Sequence, residues 1–272
     1  MHQQKKQPML LIYVQRLTNR LGYTINVVMK HMLKTDFTIT TDRENFDKYE
    51  GAKIAYCEDP VEDALWLQPA ALLFETSIHG QETHYFEHEG MPALYPVYNR
   101  KSILPFDVFA ASFYMVSRYE EYLPHHKDEH DRFVVNESLA YQKGFLQTAV
   151  VDRWAIMLKQ KIQERYPEAN LGKRSFEFVQ TIDIDAAYCY LHKGLFRHVV
   201  GIARDIFIHH NLSEVHDRFA VLRGKMEDPY NNFEYLLNHK RFKQIFFVLL
   251  GDYSTYDKPT SHLNENFRDL LN

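Results

Sequence analysis

Apolar positions along this chain recur with two different spacings, strand-like in some segments and helix-like in others, which predicts an α/β protein. The run Met9–Val14 is short and apolar and predicts a strand. Leu17–Leu33 places Leu21, Ile25, Val28 and Met32 at helical spacing. Short strands are expected at Phe37–Thr40, Lys53–Tyr56 and Ala70–Phe74. Pro105, near Asp107, suits the first turn of a helix running to Tyr122, because that position needs no amide donor. The apolar face of this helix would be Phe109, Phe113 and Val116, with Val108 and Met115 flanking it. Leu123–Thr148 is polar and predicts loop, and Asp152–Tyr166 predicts a helix stopped by Pro167.

The polar tract Glu168–Ser175 reads as a linker or a turn. Beyond it the pattern predicts a strand at Phe176–Ile182 and helices near Leu191–Ile208, Glu214–Leu222 and Asn232–His239. Gln244–Leu250 is an uninterrupted apolar run, typical of a parallel strand covered on both faces, and Asn264–Leu271 begins another helix. Two strands are too few for an independent parallel sheet, since their edges would be unpaired. The expected organisation is an N-terminal α/β domain over residues 1–167 and a second unit over 175–272. The strands of that second unit either join the first sheet or open a larger fold.

Composition narrows the classes of function. The 272 residues carry a net charge of −4, with acidic and basic residues interspersed, so neither nucleic acid nor an anionic membrane is an expected partner. The two cysteines, Cys57 and Cys189, are far apart and outside any Cys-x-x-Cys pattern, which argues against a disulfide scaffold or a structural zinc site. The apolar run near the start ends at Gln15, too short for a signal peptide, and no stretch approaches the roughly 20 apolar residues of a membrane span. The expected compartment is the cytoplasm.

Candidate chemistry concentrates at Thr181-Ile182-Asp183-Ile184-Asp185, at the end of a strand-like run. Side chains two apart on a strand share a face, so Thr181, Asp183 and Asp185 lie together. Two carboxylates roughly 6–7 Å apart along a strand repel unless a cation or a shared proton relieves them. Among the fifteen histidines, the pairs His84/His88 and His126/His130 are four apart, but their stretches are charged and lack helical apolar periodicity, so they read as solvated surface. His79, His84 and His88 would matter if their loop borders a site. Arg118, Glu120 and Glu121 read as a salt-bridged helix end, and the aromatics, including Trp66 and Trp154, as core.

Several segments resemble the NodB-type polysaccharide deacetylases, specifically a two-part branch with an N-terminal α/β domain. They are Thr181–Tyr188, Lys193-Gly194, Asp228-Pro229-Tyr230, Phe246–Ser254 and Tyr256–Lys258, together with Leu104–Asp107 and Ser117–Pro124 in the first part. The resemblance implies an N-terminal α/β domain followed by the first part of a (β/α) deacetylase-like barrel. It also implies a metal-dependent hydrolase that removes acetyl groups from N-acetylated sugars or polysaccharides. The family's first motif is Thr-Phe-Asp-Asp-Gly, which puts Asp183 on the general base, Ile184 on the metal ligand and Asp185 on the glycine. Alternation returns Asp185 to the face of Asp183, where it is the expected ligand of a divalent metal (zinc, cobalt or manganese). Thr181, Tyr188 and Asp252 are the expected site-lining residues. The family's pair of histidines four apart has no counterpart after Lys258, where His262 stands alone, so the chain reads as C-terminally truncated.

Other readings use the same residues. Nucleotide-sugar transferases hold a metal through Asp-x-Asp, but no Gly-rich phosphate loop precedes Asp183. Phosphatases that use the first aspartate as nucleophile prefer Thr or Val two residues after the second, where Ala187 stands. A non-catalytic binding or assembly module would use the aspartates only as a helix cap and a first-turn acid. Asp252, after the apolar run, occupies a usual place for functional residues in parallel sheets and equally suits a turn.

Overall fold

The computed structural model describes residues 10–238, 241–249 and 263–271. The chain divides into two compact units, Met1–Ser175 and Phe176–Asn272. The first opens β1 (Leu10–Val14), α1 (Asn19–Ile25), β2 (Phe37–Thr40), α2 (Arg43–Asp47), β3 (Lys53–Tyr56) and β4 (Leu65–Leu67). These strands form a parallel sheet in the order β2-β1-β3-β4. A hairpin of β5 (Phe86–His88) and β6 (Met91–Ala93) follows, then α3 (Val108–Val116), α4 (Leu139–Gln142) and α5 (Val150–Arg165).

Period-2 alternation sorts the strand side chains onto two faces. Leu10, Ile12, Val14, Ile54, Tyr56 and Leu67 face the larger core, which Leu21 and Ile25 of α1, Phe109 of α3 and Trp154 of α5 complete. Tyr13, Ala55, Cys57 and Trp66 face the other way and pack with Phe46 of α2. With helices on both faces, the chain leaves β1 for β2 on one side and returns to β3 on the other. The β1–β3 boundary is therefore a topological switch point, where crevices form at the carboxyl ends of strands.

Helix α1 starts where Thr18 accepts the Leu21 amide, and it widens into a π-helix over Asn26–Met32, with Leu33 N–H bonded to Val28 O at 3.0 Å. Ala70–Phe74, expected as a strand, is instead a 3₁₀ turn at Ala71–Phe74 that buries the adjacent Leu72 and Leu73 together, whereas a strand would have sent them to opposite faces. The strand of that region is β4, which ends at Leu67, just ahead of Ala70. The helix expected to reach Tyr122 ends at Val116, because Arg118 adopts the left-handed conformation (φ 52°) that terminates helices, and a 3₁₀ turn at Tyr119–Tyr122 follows. Pro105 lies ahead of the N-cap Asp107, outside the first turn. The expected loop Leu123–Thr148 contains α4. The tract expected as a linker is fastened to the first unit: Leu171 is buried, Lys159 Nζ donates to Gly172 O at 2.6 Å, and Gly172 N–H donates to Thr35 Oγ1 at 3.1 Å.

The second unit contains β7 (Val179–Ile184), α6 (Gly194–Phe207), α7 (Leu212–Leu222), α8 (Phe233–Asn238), β8 (Lys243–Val248) and α9 (Glu265–Leu271). Strands β7 and β8 are parallel, with Asp183 opposite Phe247. Among the described residues they pair with each other and not with the first sheet. The expectation that this apolar strand is covered on both faces is not met, since Ile245 and Phe247 are exposed. Asp205 of α6 and Arg218 of α7 form a buried ion pair at 2.7 Å, and the guanidinium lies 4.7 Å over the Tyr190 ring. Among the described residues, no helix is long and apolar enough to cross a membrane.

Candidate functional site

Strand alternation brings Thr181, Asp183 and Asp185 to one exposed face at the carboxyl end of β7 and just beyond it, with Ile182 and Ile184 turned the other way and half-buried. Among the described residues, the contacts of Tyr188 lie elsewhere. Its ring packs on His192 at 4.7 Å, and its hydroxyl donates to Asn266 O at 3.2 Å. Asp252 and His262 lie outside the described residues. Two carboxylates suit a hard divalent cation by donor type, but a catalytic centre needs about three protein ligands. Among the described residues no group of three or more His, Cys, Asp or Glu side chains converges. The described residues therefore supply two carboxylates and not by themselves a complete metal centre.

The segment after Asp185 is held by Asp228, a residue quoted above only for resemblance. Its buried carboxylate accepts four backbone N–H groups: Cys189 (2.8 Å), Tyr190 (2.8 Å), Leu191 (2.9 Å) and Tyr230 (3.0 Å). Burial pulls the pKa of Asp228 upward, but the four donors outweigh it and hold the carboxyl below its ordinary value of 3.8. A depressed carboxylate contributes stability above that ordinary value, and the contribution is lost as pH falls through the lower folded value. Asp228→Asn is expected to cost about 2 kcal/mol, read by denaturant unfolding at pH 7, because one oxygen becomes a donor facing donors. An unchanged unfolding midpoint would show that the loop does not depend on this carboxylate.

In the first unit, the carboxyl edge of the sheet carries two adjoining cavities that share Pro69, Ala70, Ala71 and Glu75. One, of about 570 Å³, lies at the switch point and is lined by Gln15 and Arg16 after β1 and Glu58 after β3. The other, of about 550 Å³, is lined by Gln68 after β4, by His79, Gln81, Glu82 and His84, and by Tyr95, Tyr98 and Asn99. His79 and His84 thus border a cavity, whereas His126 pairs with Glu137 and His130 lies 3.5 Å from Glu129 on the surface.

Asp107 positions this edge. It is fully buried, caps α3 through Oδ1 to Phe109 N–H and Ala110 N–H (both 3.0 Å), and through Oδ2 accepts the Tyr56 hydroxyl and Ala70 N–H (both 2.7 Å). One side chain thereby ties β3, the cavity wall and α3. Burial pushes its carboxyl up to about 6 against those hydrogen bonds. Sequence reading placed Asp107 near a helix start; an Asp directly before an apolar helical run carries the capping signal. Its links to Tyr56 and Ala70, which are 51 and 37 residues away, carry no local signal. Gln68 and Tyr95 were missed for the same reason.

No curated protein and no solved structure matches the chain. A family model described as a family of unknown function, DUF7033, matches residues 10–167. That span is more than half of the chain and takes in the sheet, its switch point and the Asp107 tie, so the chain belongs to the DUF7033 family.

Proposed function

We propose that this chain is a polysaccharide deacetylase-like hydrolase acting on the amide bonds of N-acetylated sugars, with Asp183 as general base. The observation that carries the reading is the exposed pair Asp183 and Asp185 on one face at the carboxyl end of a parallel strand, followed by a loop held in place by Asp228. Functional residues gather at that end of parallel strands in α/β folds. In the reaction, water adds to the acetyl carbonyl carbon while its proton passes to Asp183. The carbon–nitrogen bond then breaks as the nitrogen takes back the proton held by Asp183, and the products leave as acetate and the protonated amino sugar, the acid proton having passed to the amine. The β7–α6 succession is read as the first part of a deacetylase-like barrel.

Asp185 is the carboxylate this reading offers to a divalent metal, and the thermal midpoint of the whole chain tests it. With Zn²⁺, Co²⁺ or Mn²⁺ the midpoint is expected to rise by a few degrees, corresponding to roughly 1–2 kcal/mol of linked binding, and Asp185→Ala is expected to abolish the rise. Absence of a shift with all three ions would count against the metal-dependent form. A second reading, a binding module, is favoured by one observation: the cavities at the carboxyl edge of the first unit's sheet.

A further inference from the structure

The 550 Å³ cavity of the first unit falls within the roughly 300–1,000 Å³ range of small-molecule sites. Two polar atoms buried in its wall have no hydrogen-bond partner: Gln68 Oε1 and the Tyr95 hydroxyl. A buried polar atom left unpaired costs about 1–3 kcal/mol, so a wall carrying two calls for a complementary group. The Tyr95 side chain is 5% exposed, and its ring is fixed edge-on against Tyr114 with centroids 6.1 Å apart.

The backbone at Tyr95 adds an independent sign. Its φ is 58°, the left-handed region that aromatic residues seldom enter, and it precedes Pro96, a position that ordinarily holds extended backbone. The surroundings enforce this conformation. Tyr95 N–H donates to Thr83 O at 2.7 Å, and its carbonyl accepts Asp107 N–H at 2.9 Å. Strain held in place by such over-determination gathers at ligand sites.

The lining selects the ligand chemistry. It contains no Lys or Arg, and its two carboxylates, Glu75 and Glu82, disfavour phosphates and other anions. Glu75 is already engaged, accepting Gln81 Nε2 at 2.9 Å and lying 3.5 Å from His79 and 4.0 Å from Arg20, while Glu82 lies 3.2 Å from His84. Gln68 Oε1 requires a donor, and the Tyr95 hydroxyl takes either role. Alcohol hydroxyls satisfy both. At the rim, the Tyr98 ring is 86% exposed and offers a flat apolar face of the kind that packs on the C–H face of a pyranose.

We propose that this cavity is a binding site for a neutral saccharide, whose hydroxyls pair with Gln68 Oε1 and the Tyr95 hydroxyl while its apolar face lies on Tyr98. The site belongs wholly to the first unit and does not rest on the hydrolase reading of Asp183.

The test is calorimetric titration of the full chain with cellotetraose, the N-acetylglucosamine tetramer and the cationic glucosamine tetramer, repeated on Tyr95→Phe, Gln68→Met and Asp183→Asn. At least one neutral tetramer is expected to bind, and Tyr95→Phe and Gln68→Met are each expected to weaken it about tenfold, the loss of one hydrogen bond. The unliganded Tyr95→Phe protein is expected to melt no lower than the parent, because it loses an unpaired buried hydroxyl. Asp183→Asn is expected to bind as tightly as the parent, which separates this site from the proposed catalytic one. The proposal is overturned if neither neutral tetramer binds at millimolar concentration or if only the cationic tetramer binds. It is equally overturned if both cavity variants, folded by their thermal midpoints, bind like the parent, or if Asp183→Asn alone abolishes binding.

Discussion

Asp107→Asn is expected to destabilise the first unit by about 3 kcal/mol at pH 5 and to remove most of one pH dependence. Each oxygen of the buried carboxyl faces two donors. At pH 5 the folded carboxyl still holds its proton, and with that O–H at Oδ2 turned to the Tyr56 oxygen the three backbone N–H groups all keep an acceptor. An amide nitrogen at Oδ2 would meet Ala70 N–H and the Tyr56 hydroxyl; the hydroxyl can rotate to accept, but the Ala70 amide is stranded. An amide nitrogen at Oδ1 would instead strand both capping amides of α3. The folded carboxyl is raised, by burial above all, from 3.8 to about 6. Between those values the folded chain keeps a proton that the unfolded chain has released, so stability falls as pH rises through the window. At roughly 1.4 kcal/mol per pKa unit, the parent loses about 3 kcal/mol from this group between pH 4 and pH 7. Other carboxylates contribute in both directions: Glu120 is raised by burial, and Glu137 is lowered by its bonds to His126. The difference between parent and Asp107→Asn isolates the single residue. Urea unfolding at intervals from pH 4 to pH 8 measures it, and parallel curves for the two proteins would refute the assignment.

Asp183→Asn is expected to lower acetate release from an N-acetylglucosamine oligomer by about 10²–10⁴-fold while leaving the unfolding midpoint within about 0.5 kcal/mol. The split follows from placement. Asp183 is exposed at a strand end, so neutralising it leaves no buried donor unpaired, and the proton it would accept belongs only to the reaction. Asp228, buried and holding the backbone N–H groups of the loop that follows the strand, gives the opposite split: its substitution acts first on stability. Release of acetate assayed with each of Zn²⁺, Co²⁺ and Mn²⁺ reads the effect. An Asp183→Asn protein as active as the parent would remove the general-base role, and a parent without activity under all three ions would remove the hydrolase reading.

What the sequence determined by itself are the features carried by neighbours in the chain. Leu10, Ile12 and Val14 alternate with Leu11 and Tyr13, and that period of two sets β1 and both of its faces. The same arithmetic placed Thr181, Asp183 and Asp185 on one side of β7. Phe37–Thr40 and Lys53–Tyr56 were legible as strands with their observed bounds, because β-branched and aromatic residues are flanked there by polar breaks. Local pattern failed where a short apolar run fits two structures. Ala71–Phe74 became a 3₁₀ turn because packing buries Leu72 and Leu73 together, a choice made by the sheet and helices around them.

Only the tertiary structure decided what lies far apart in sequence. The order β2-β1-β3-β4 creates the switch point, and no residue of β1 or β3 states which strand will be its neighbour. Asp107 meets Tyr56 and Ala70, and Tyr95 and Gln68 come to line one cavity, through chain reversals whose closure depends on the whole core. Hydrogen-bond partners of buried groups are chosen by that closure, since a buried polar atom takes whichever complementary atom the packing delivers. Periodicity can therefore name the face on which a residue stands, while the partner it finds there is a property of the fold.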